Sequence, residues 1–309
     1  MLSVTNLSKH YGEIRAVDGV GFDVAAGRIF GLLGPNGAGK TTIISMIAGL
    51  VSPATGRVEV DGIDLARDPA AVKRRLGVVP QEIALYEDLT ARENLAFWGG
   101  IYGLRGKEMD HRRDELLELV GLADRAREPV KNFSGGMKRR LNLALGLVHR
   151  PRLVLLDEPT VGIDPQARIN ILDVVRDIVA GGTTVLYTTH YLEEAEDLCD
   201  ELAIMDHGTI HAKGTIAELK AELGEGSVLT VQGAFEKEDV ARVVEDLDGA
   251  RLLELDDGRA LVNVPLGSDG VGHTLKALYG SGLPLSGITV KEPNLEDLFL
   301  KLTGRELRD

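Results

Sequence analysis

Nine consecutive residues, Gly34-Pro35-Asn36-Gly37-Ala38-Gly39-Lys40-Thr41-Thr42, fit the pattern of glycine, four residues, glycine, lysine and a hydroxyl residue. Residues of these types at this spacing bind phosphate. The glycines let the backbone turn tightly enough to aim successive N–H groups at phosphate oxygens, Lys40 neutralises the β- and γ-phosphates, and Thr41 ligates Mg²⁺. The segment follows an apolar run, Ile29 to Leu33, and precedes a helix predicted from about Lys40 to Gly49, whose N-terminus adds partial positive charge. A second chemical pair, Asp157-Glu158, closes the apolar run Leu153 to Leu156. Carboxylates at the C-terminal end of a buried strand lie where doubly wound sheets place their sites. Asp157 suits the Mg²⁺ shell. Glu158 is placed to polarise the water that attacks a γ-phosphate, a general-base role worth roughly 10²- to 10⁴-fold. The two segments together predict nucleotide binding and hydrolysis, a combination shared by kinases, GTPases, helicases and transport ATPases.

Positioning such groups takes a parallel sheet covered by helices. From residue 1 to about 220, short Val-, Ile- and Leu-rich runs alternate with helix-length amphipathic segments, the pattern of an α/β domain. Buried strands are predicted at Ile29 to Leu33, Leu153 to Leu156, Thr184 to Thr188 and Leu202 to Met205. The stretch Gly224-Glu225-Gly226-Ser227 reads as a linker, which sets an expected boundary between domains 1–224 and 225–309. The tail reads as strand Val228 to Val231, helix Lys237 to Leu247, strand Arg251 to Leu255, strand Ala260 to Val264, helix Gly272 to Tyr279 and strand Ile288 to Lys291. Asp257-Gly258 supplies the turn between the middle strands. That order is the split βαβ arrangement of a small α+β, ferredoxin-like domain.

Composition narrows the classes further. The chain has 309 residues, 44% hydrophobic and 27% charged, as expected of a globular protein. Its 35 Lys and Arg against 48 Asp and Glu give a formal charge of −13, the wrong sign for gripping nucleic acid by net charge. Residues 225–309 alone carry nine basic and sixteen acidic side chains. No nucleic-acid partner is expected. No apolar run approaches the roughly 20 residues of a membrane-spanning helix. The N-terminus lacks the layout of an export signal, and Cys199 is the sole cysteine, so the cytosol is the expected compartment and no intrachain disulfide is expected.

Phe133-Ser134-Gly135-Gly136-Met137, about twenty residues before Asp157, resembles the signature motif of ATP-binding cassette (ABC) ATPases. A serine and two glycines at a helix N-terminus make a second anion-binding feature. Gln81, in Val78-Val79-Pro80-Gln81, sits at the family's Q-loop position, and Thr188-Thr189-His190 matches its switch histidine. Val161-Gly162-Ile163-Asp164-Pro165 resembles the D-loop. Tyr11, in Lys9-His10-Tyr11-Gly12, sits where the family stacks an aromatic ring on adenine. For single residues, plainer readings stand beside these: strand packing for Tyr11 and a structural cap for His190. The resemblance spans residues 2 to about 220 and implies a P-loop NTPase fold of the ABC type with ATP and Mg²⁺ as cofactors. It implies catalytic roles for Glu158, His190, Gln81 and Lys40. Nucleotide contacts would come from Tyr11, the loop from Gly34 to Thr42, Ser134, Gly135, Gly136 and Asp164, and Mg²⁺ contacts from Thr41, Gln81 and Asp157.

Within that family the chain is similar to the daunorubicin-resistance-like, type-2 exporter branch, in which the ATPase is a separate chain. Met137 followed by Lys138-Arg139-Arg140-Leu141 fits the branch, as does Glu292-Pro293-Asn294-Leu295-Glu296-Asp297-Leu298-Phe299-Leu300 with Leu302-Thr303-Gly304-Arg305. Methionine in place of the family's glutamine puts one polar nucleotide contact in doubt. The resemblance implies a head-to-tail homodimer of ATPase chains and a separate transmembrane permease, with the chain peripheral on the cytoplasmic face of the cell membrane. The efflux cargo would be a drug or other hydrophobic compound. The surface from Gln81 to about Gly103 would receive the permease's coupling helix. Leu95, Phe97 and Trp98 read either as part of that interface or as a helix face packed into the core. Lys73-Arg74-Arg75 and His111-Arg112-Arg113 read as solvated faces. A competing function is a soluble ABC ATPase whose tail domain senses a ligand, supported by fold analogy alone.

Overall fold

The chain opens with two long strands, β1 (Leu2–Tyr11) and β2 (Ile14–Val24), paired antiparallel with Leu2 opposite Val24 and Tyr11 opposite Ile14. The computed structural model describes residues 1–223, 226–247, 249–256, 258–264, 268–292 and 294–303. Next come β3 (Ile29–Leu33), α1 (Lys40–Ile47), β4 (Thr55–Val60), β5 (Ile63–Asp64), α2 (Pro69–Lys73) and β6 (Leu76–Val79). A helical stretch follows, α3 (Ala91–Ile101), α4 (Gly106–Leu119) and α5 (Gly135–Gly146), with short 3-10 turns at Ala123–Arg125 and Val130–Asn132. The chain then alternates again: β7 (Leu153–Asp157), α6 (Pro165–Ala180), β8 (Thr184–Thr189), α7 (Leu192–Leu198), β9 (Glu201–Asp206) and β10 (Thr209–Thr215).

These strands form two sheets, of order β2-β1-β4-β5 and β10-β9-β3-β8-β7-β6. In the larger sheet β3 runs parallel to β8 and β9, and β7 runs parallel to β6 and β8. Every residue of β3, β7 and β8 is buried, because helices cover both faces of a parallel sheet. The four predicted buried strands form, three of them extended by a residue at one or both ends. α1 links the sheets: Ile43, Met46 and Ile47 share one core with Leu2, Val4 and Phe22 of the smaller sheet and Leu32, Leu155 and Met205 of the larger. Cys199 is a buried free thiol.

By contacts the chain divides between His211 and Ala212, ahead of the 224/225 boundary read from the linker composition. The reason lies in α8 (Ile216–Ala221), which packs on α11 (Leu295–Thr303), while Lys301 Nζ donates to the Glu222 carbonyl at 2.8 Å. Gly224 and Glu225 of the expected linker lie outside the described residues. The second unit runs β11 (Ser227–Gly233), α9 (Lys237–Glu245), β12 (Arg251–Asp256), β13 (Arg259–Val264), α10 (Ser268–Gly280) and β14 (Leu285–Lys291). Its strands pair antiparallel in the order β12-β13-β11-β14, which is the ferredoxin-like topology. Leu229, Val231 and Val262 pack on Val240, Val244 and Leu278 of the two helices, and Val228 and Leu261 on the other face meet Leu300 of α11. The sequence reading did not place α11 as a helix. Asp257, of the expected turn, lies outside the described residues, as do Pro293, Gly304 and Arg305 of the C-terminal motif. Among the described residues no helix is long and apolar enough to cross a membrane.

The fit of β6 against α5 has a direct consequence. A methyl group at Gly77 would run into the Gly146 carbonyl and the Pro151 ring. Gly77→Ala should therefore cost about 1–3 kcal/mol of stability through overpacking. Urea unfolding should show this as a lower midpoint at unchanged m, and an unchanged midpoint would contradict the packing.

Candidate functional site

After β3 the chain turns through residues 34–39 into α1, which begins at Lys40. The turn is pinned from both sides. Gly34 N–H donates to the Thr189 carbonyl at 3.3 Å, Ala38 N–H to the Pro35 carbonyl at 3.1 Å, and Gly208 N–H to the Ala38 carbonyl at 3.0 Å. Gly39 stands at φ 104° against the Ala16 carbonyl, a place where a side chain fits neither the backbone angle nor the space. α1 has no side-chain cap and no acidic residue in its first turn, so its N–H groups and partial positive charge face the loop. This uncapped helix end is what a phosphate-binding loop requires.

Lys40 is 4% exposed and reaches back across the loop. Its Nζ donates to the carbonyls of Gly34 at 2.6 Å and Pro35 at 3.0 Å, and lies 3.0 Å from Glu158 Oε1. Glu158 follows directly on β7 with a φ of 44°, a left-handed conformation that costs a non-glycine residue on the order of 1–3 kcal/mol. Its N–H donates to Thr188 Oγ1 at 2.9 Å, which holds that geometry. The same Thr188 hydroxyl donates to Asp157 Oδ1 at 2.8 Å, and Thr41 Oγ1 reaches that oxygen at 3.2 Å. His190 Nδ1 lies 3.3 Å from Glu158 Oε2. Burial pushes the Asp157 carboxyl above its ordinary range, opposed by the Thr188 and Thr41 hydroxyls, and the neighbouring Glu158 charge adds to the rise. A cation beside Asp157 would favour the ionised form.

The structure thus brings Lys40, Thr41, Asp157, Glu158 and His190 into one cluster. The loop residues Gly34 and Pro35 join it through Lys40, whereas Gln81, Tyr11, Ser134 and Asp164 make their contacts elsewhere. The Gln81 side chain is exposed and forms no hydrogen bond with Thr41 or Asp157; its backbone carbonyl accepts from Arg139. Tyr11 is 49% exposed with Lys9 Nζ 5.4 Å from its ring centroid, so strand packing does not account for it. Ser134 and Gly135 are exposed, and Ser134 Oγ caps α5 by accepting from Met137 N–H at 3.3 Å. Asp164 caps α6 through Ala167 N–H at 2.9 Å. His190 is not the N-cap residue of α7, a place taken by Tyr191.

Three participants were missed. Thr188 was read only as part of the histidine motif, although its hydroxyl donates to the Asp157 carboxylate and accepts the Glu158 N–H. Glu194, 2% exposed, accepts from Tyr187 Oη at 2.8 Å and Thr189 Oγ1 at 2.9 Å and lies 3.4 Å from Arg168, bracing the strand that ends just before His190. Arg139 was read only as a branch marker. The available signal for Glu194 was its place four residues after His190, but three acids in α7 compete for it.

A family model described as ABC transporter matches residues 17–161. The linearmycin resistance ATP-binding protein of Bacillus subtilis (strain 168) is 46% identical over 312 residues, covering 100% of this chain and 100% of that protein. A daunorubicin resistance ATP-binding protein of Streptomyces coeruleorubidus is 40% identical over 309 residues, covering 99% of this chain and 97% of its own length. Among solved structures, a dimeric post-hydrolysis ATP-binding cassette bound to ADP and Pi superposes with a TM-score of 0.63 at 26% identity, over 70% of this chain and 98% of that one. Full-length identity of this order, together with the pinned phosphate loop and its paired carboxylates, makes the chain a member of the ABC transporter family, in the branch of the drug-resistance ATP-binding proteins.

Proposed function

We propose that this chain is the ATP-hydrolysing subunit of an exporter, acting as a head-to-tail pair of identical chains beneath a separate transmembrane permease. One observation carries the reading: the phosphate cradle is complete around Lys40, while the exposed Ser134-Gly135 helix cap of the same chain has no hydrogen bond to it. A second copy would supply that cap to the open side of the nucleotide. The solved ADP-bound dimer, similar to this chain over 70% of its length, supports such an arrangement.

Within each site, the loop N–H groups and Lys40 would hold the β- and γ-phosphates. Thr41 and Asp157, with Gln81 approaching, would hold Mg²⁺, which when bound neutralises phosphate charge. An oxygen-donor set with no group of three His, Cys, Asp or Glu among the described residues suits a small hard cation that takes its remaining ligands from phosphate and water. A γ-phosphate competes with Glu158 for the Lys40 ammonium. Once displaced, the Glu158 carboxylate is available to the attacking water, with His190 3.3 Å away to orient it. Tyr11 would stack on adenine, and Gly136 and Asp164 would complete the nucleotide contacts near the dimer seam.

For the permease, a groove of about 390 Å³ beside the Gln81 segment is lined by Leu50, Leu76, Val78, Trp98, Tyr102 and His149, among others. Leu50 is 71% exposed and Phe97 45%, whereas Leu95 is fully buried, so α3 divides its apolar residues between core and surface. An apolar groove with aromatic walls fits a short coupling helix, which supports a position at the cytoplasmic face of the membrane. Relatives named for linearmycin and daunorubicin resistance support a drug or other hydrophobic compound as cargo. The 1–224 portion would be the ATPase, and the 225–309 portion an accessory domain that regulates or dimerises.

Lys40→Ala should weaken ATP binding by roughly 10- to 100-fold, the loss of one charge-assisted contact set, as read by equilibrium titration. An unchanged Kd would contradict the cradle. A pull-down of the tagged chain from detergent-solubilised native membranes should recover a protein with several membrane spans. Recovery of ribosomes or DNA-repair factors alone would contradict the exporter reading.

A further inference from the structure

One face of α5 carries two buried polar side chains, Arg139 at 8% exposure and Asn142 at 3%, one helical turn apart. Both hold backbone. Arg139 donates through Nη1 to the Gln81 carbonyl and through Nη2 to the Val161 carbonyl at 3.2 Å. Asn142 accepts from Ala84 N–H at 3.2 Å through Oδ1 and donates from Nδ2 to the Pro80 carbonyl at 3.4 Å.

The segment these contacts hold has little else to fix it. Residues 81–84 are exposed and lie outside any helix or strand. Among the described residues, the hydrogen bonds of the 80–84 backbone all end on Arg139 and Asn142. Val161, at the other end of the Arg139 fork, lies three residues beyond Glu158, whose carbonyl it meets through its N–H at 3.3 Å. Arg139 has no carboxylate partner among the described residues, and burial lowers the pKa of its guanidinium. A surface arginine would shed that desolvation by turning outward. Its retention inside fits a planar group whose separate N–H donors span two carbonyls at once, which a lysine ammonium does not reproduce. Pro80, Ala84 and Asn142 also line the groove described above.

We propose that Arg139 and Asn142 are positioning residues that tie the Ser134-capped helix, the Gln81 segment and the Val161 loop into one block. A shift at the nucleotide side then reaches the groove through backbone carbonyls held by α5, without any side chain of the pair touching nucleotide. The kinetic consequence rests on the ATPase reading above, whereas the mechanical linkage stands on the hydrogen bonds themselves.

Hydrogen exchange on the full-length chain, followed by mass spectrometry, tests the linkage directly. Arg139→Met keeps the side chain's length and removes its donors. Exchange in peptides covering 79–85 and 159–163 should rise by roughly tenfold, the effect of one lost hydrogen bond, while 34–42 stays unchanged. Asn142→Leu should speed 79–85 alone. In steady-state hydrolysis Arg139→Met should lower kcat by roughly tenfold and leave KM for ATP within about twofold, with Arg139→Lys recovering part of the loss. Unchanged exchange at 159–163 in Arg139→Met, or faster exchange everywhere including 34–42, would overturn the proposal, as would an unaltered kcat. A wild-type chain without hydrolysis would contradict the ATPase reading instead, and the exchange pattern would still uphold or overturn the linkage.

Discussion

A buried ammonium facing a buried carboxylate, Lys40 against Glu158 at 3.0 Å, is the contact around which the rest of the molecule is arranged. Two such groups, 3% and 5% exposed, are expensive to remove from water unless every remaining polar atom finds a partner. The partners come from the loop carbonyls of Gly34 and Pro35 on the lysine side and from His190, whose Nδ1 lies 3.3 Å from Oε2, on the carboxylate side. The strand order makes this possible. β8 lies between β3 and β7, so the loop after β3, the histidine after β8 and the carboxylates after β7 leave the sheet at the same edge. Parallel pairing sends all three strands out in one direction, which antiparallel neighbours would not do.

The same arrangement explains why the pair is poised for exchange. Lys40 now has two neutral carbonyls and one carboxylate as partners, and a triphosphate offers more negative charge at the same place. In the mechanism proposed above, phosphate binding would redirect Lys40 and release Glu158 in one event, coupling occupancy of the loop to readiness of the general base. The left-handed backbone at Glu158 keeps the residue at the strand's tip, where its N–H donates to the Thr188 hydroxyl. Behind the histidine, Glu194 gathers Tyr187, Thr189 and Arg168, so the strand leading into His190 is braced against α6 and α7. On the other side α5 holds the Gln81 segment. Nucleotide chemistry at one edge and the apolar groove are thus joined by short runs of hydrogen-bonded backbone.

Much of this was visible in the sequence wherever the relevant residues are local. The loop from Gly34 to Thr42 and the Asp157-Glu158 pair are contiguous, and the strands before them are unbroken apolar runs because both faces of the sheet are covered. The smaller sheet escaped because β1 and β2 do not keep a clean alternation. Register shifts between Val4 and Leu7 and again between Leu7 and Lys9 break the period, and Gly19 and Gly21 interrupt β2. α11 was seen as a motif rather than a helix, although Leu295, Leu298 and Phe299 have helical spacing and are fully buried. Arg139 and Thr188 could not be assigned from sequence, since their partners lie 58 and 31 positions away. The neighbouring arginines at 139 and 140 look alike until the packing of α5 turns one inward.

The central claim is that a nucleotide held by the Lys40 cradle of one chain is completed by the Ser134-capped helix of another. Light scattering of the Glu158→Gln chain at saturating ATP and Mg²⁺ tests it, because in the proposed mechanism that substitution would stop turnover while leaving the cradle able to bind. The expected particle has twice the 33.3 kDa of one chain and returns to a single chain when ATP is removed. A 33.3 kDa particle with ATP bound would contradict it.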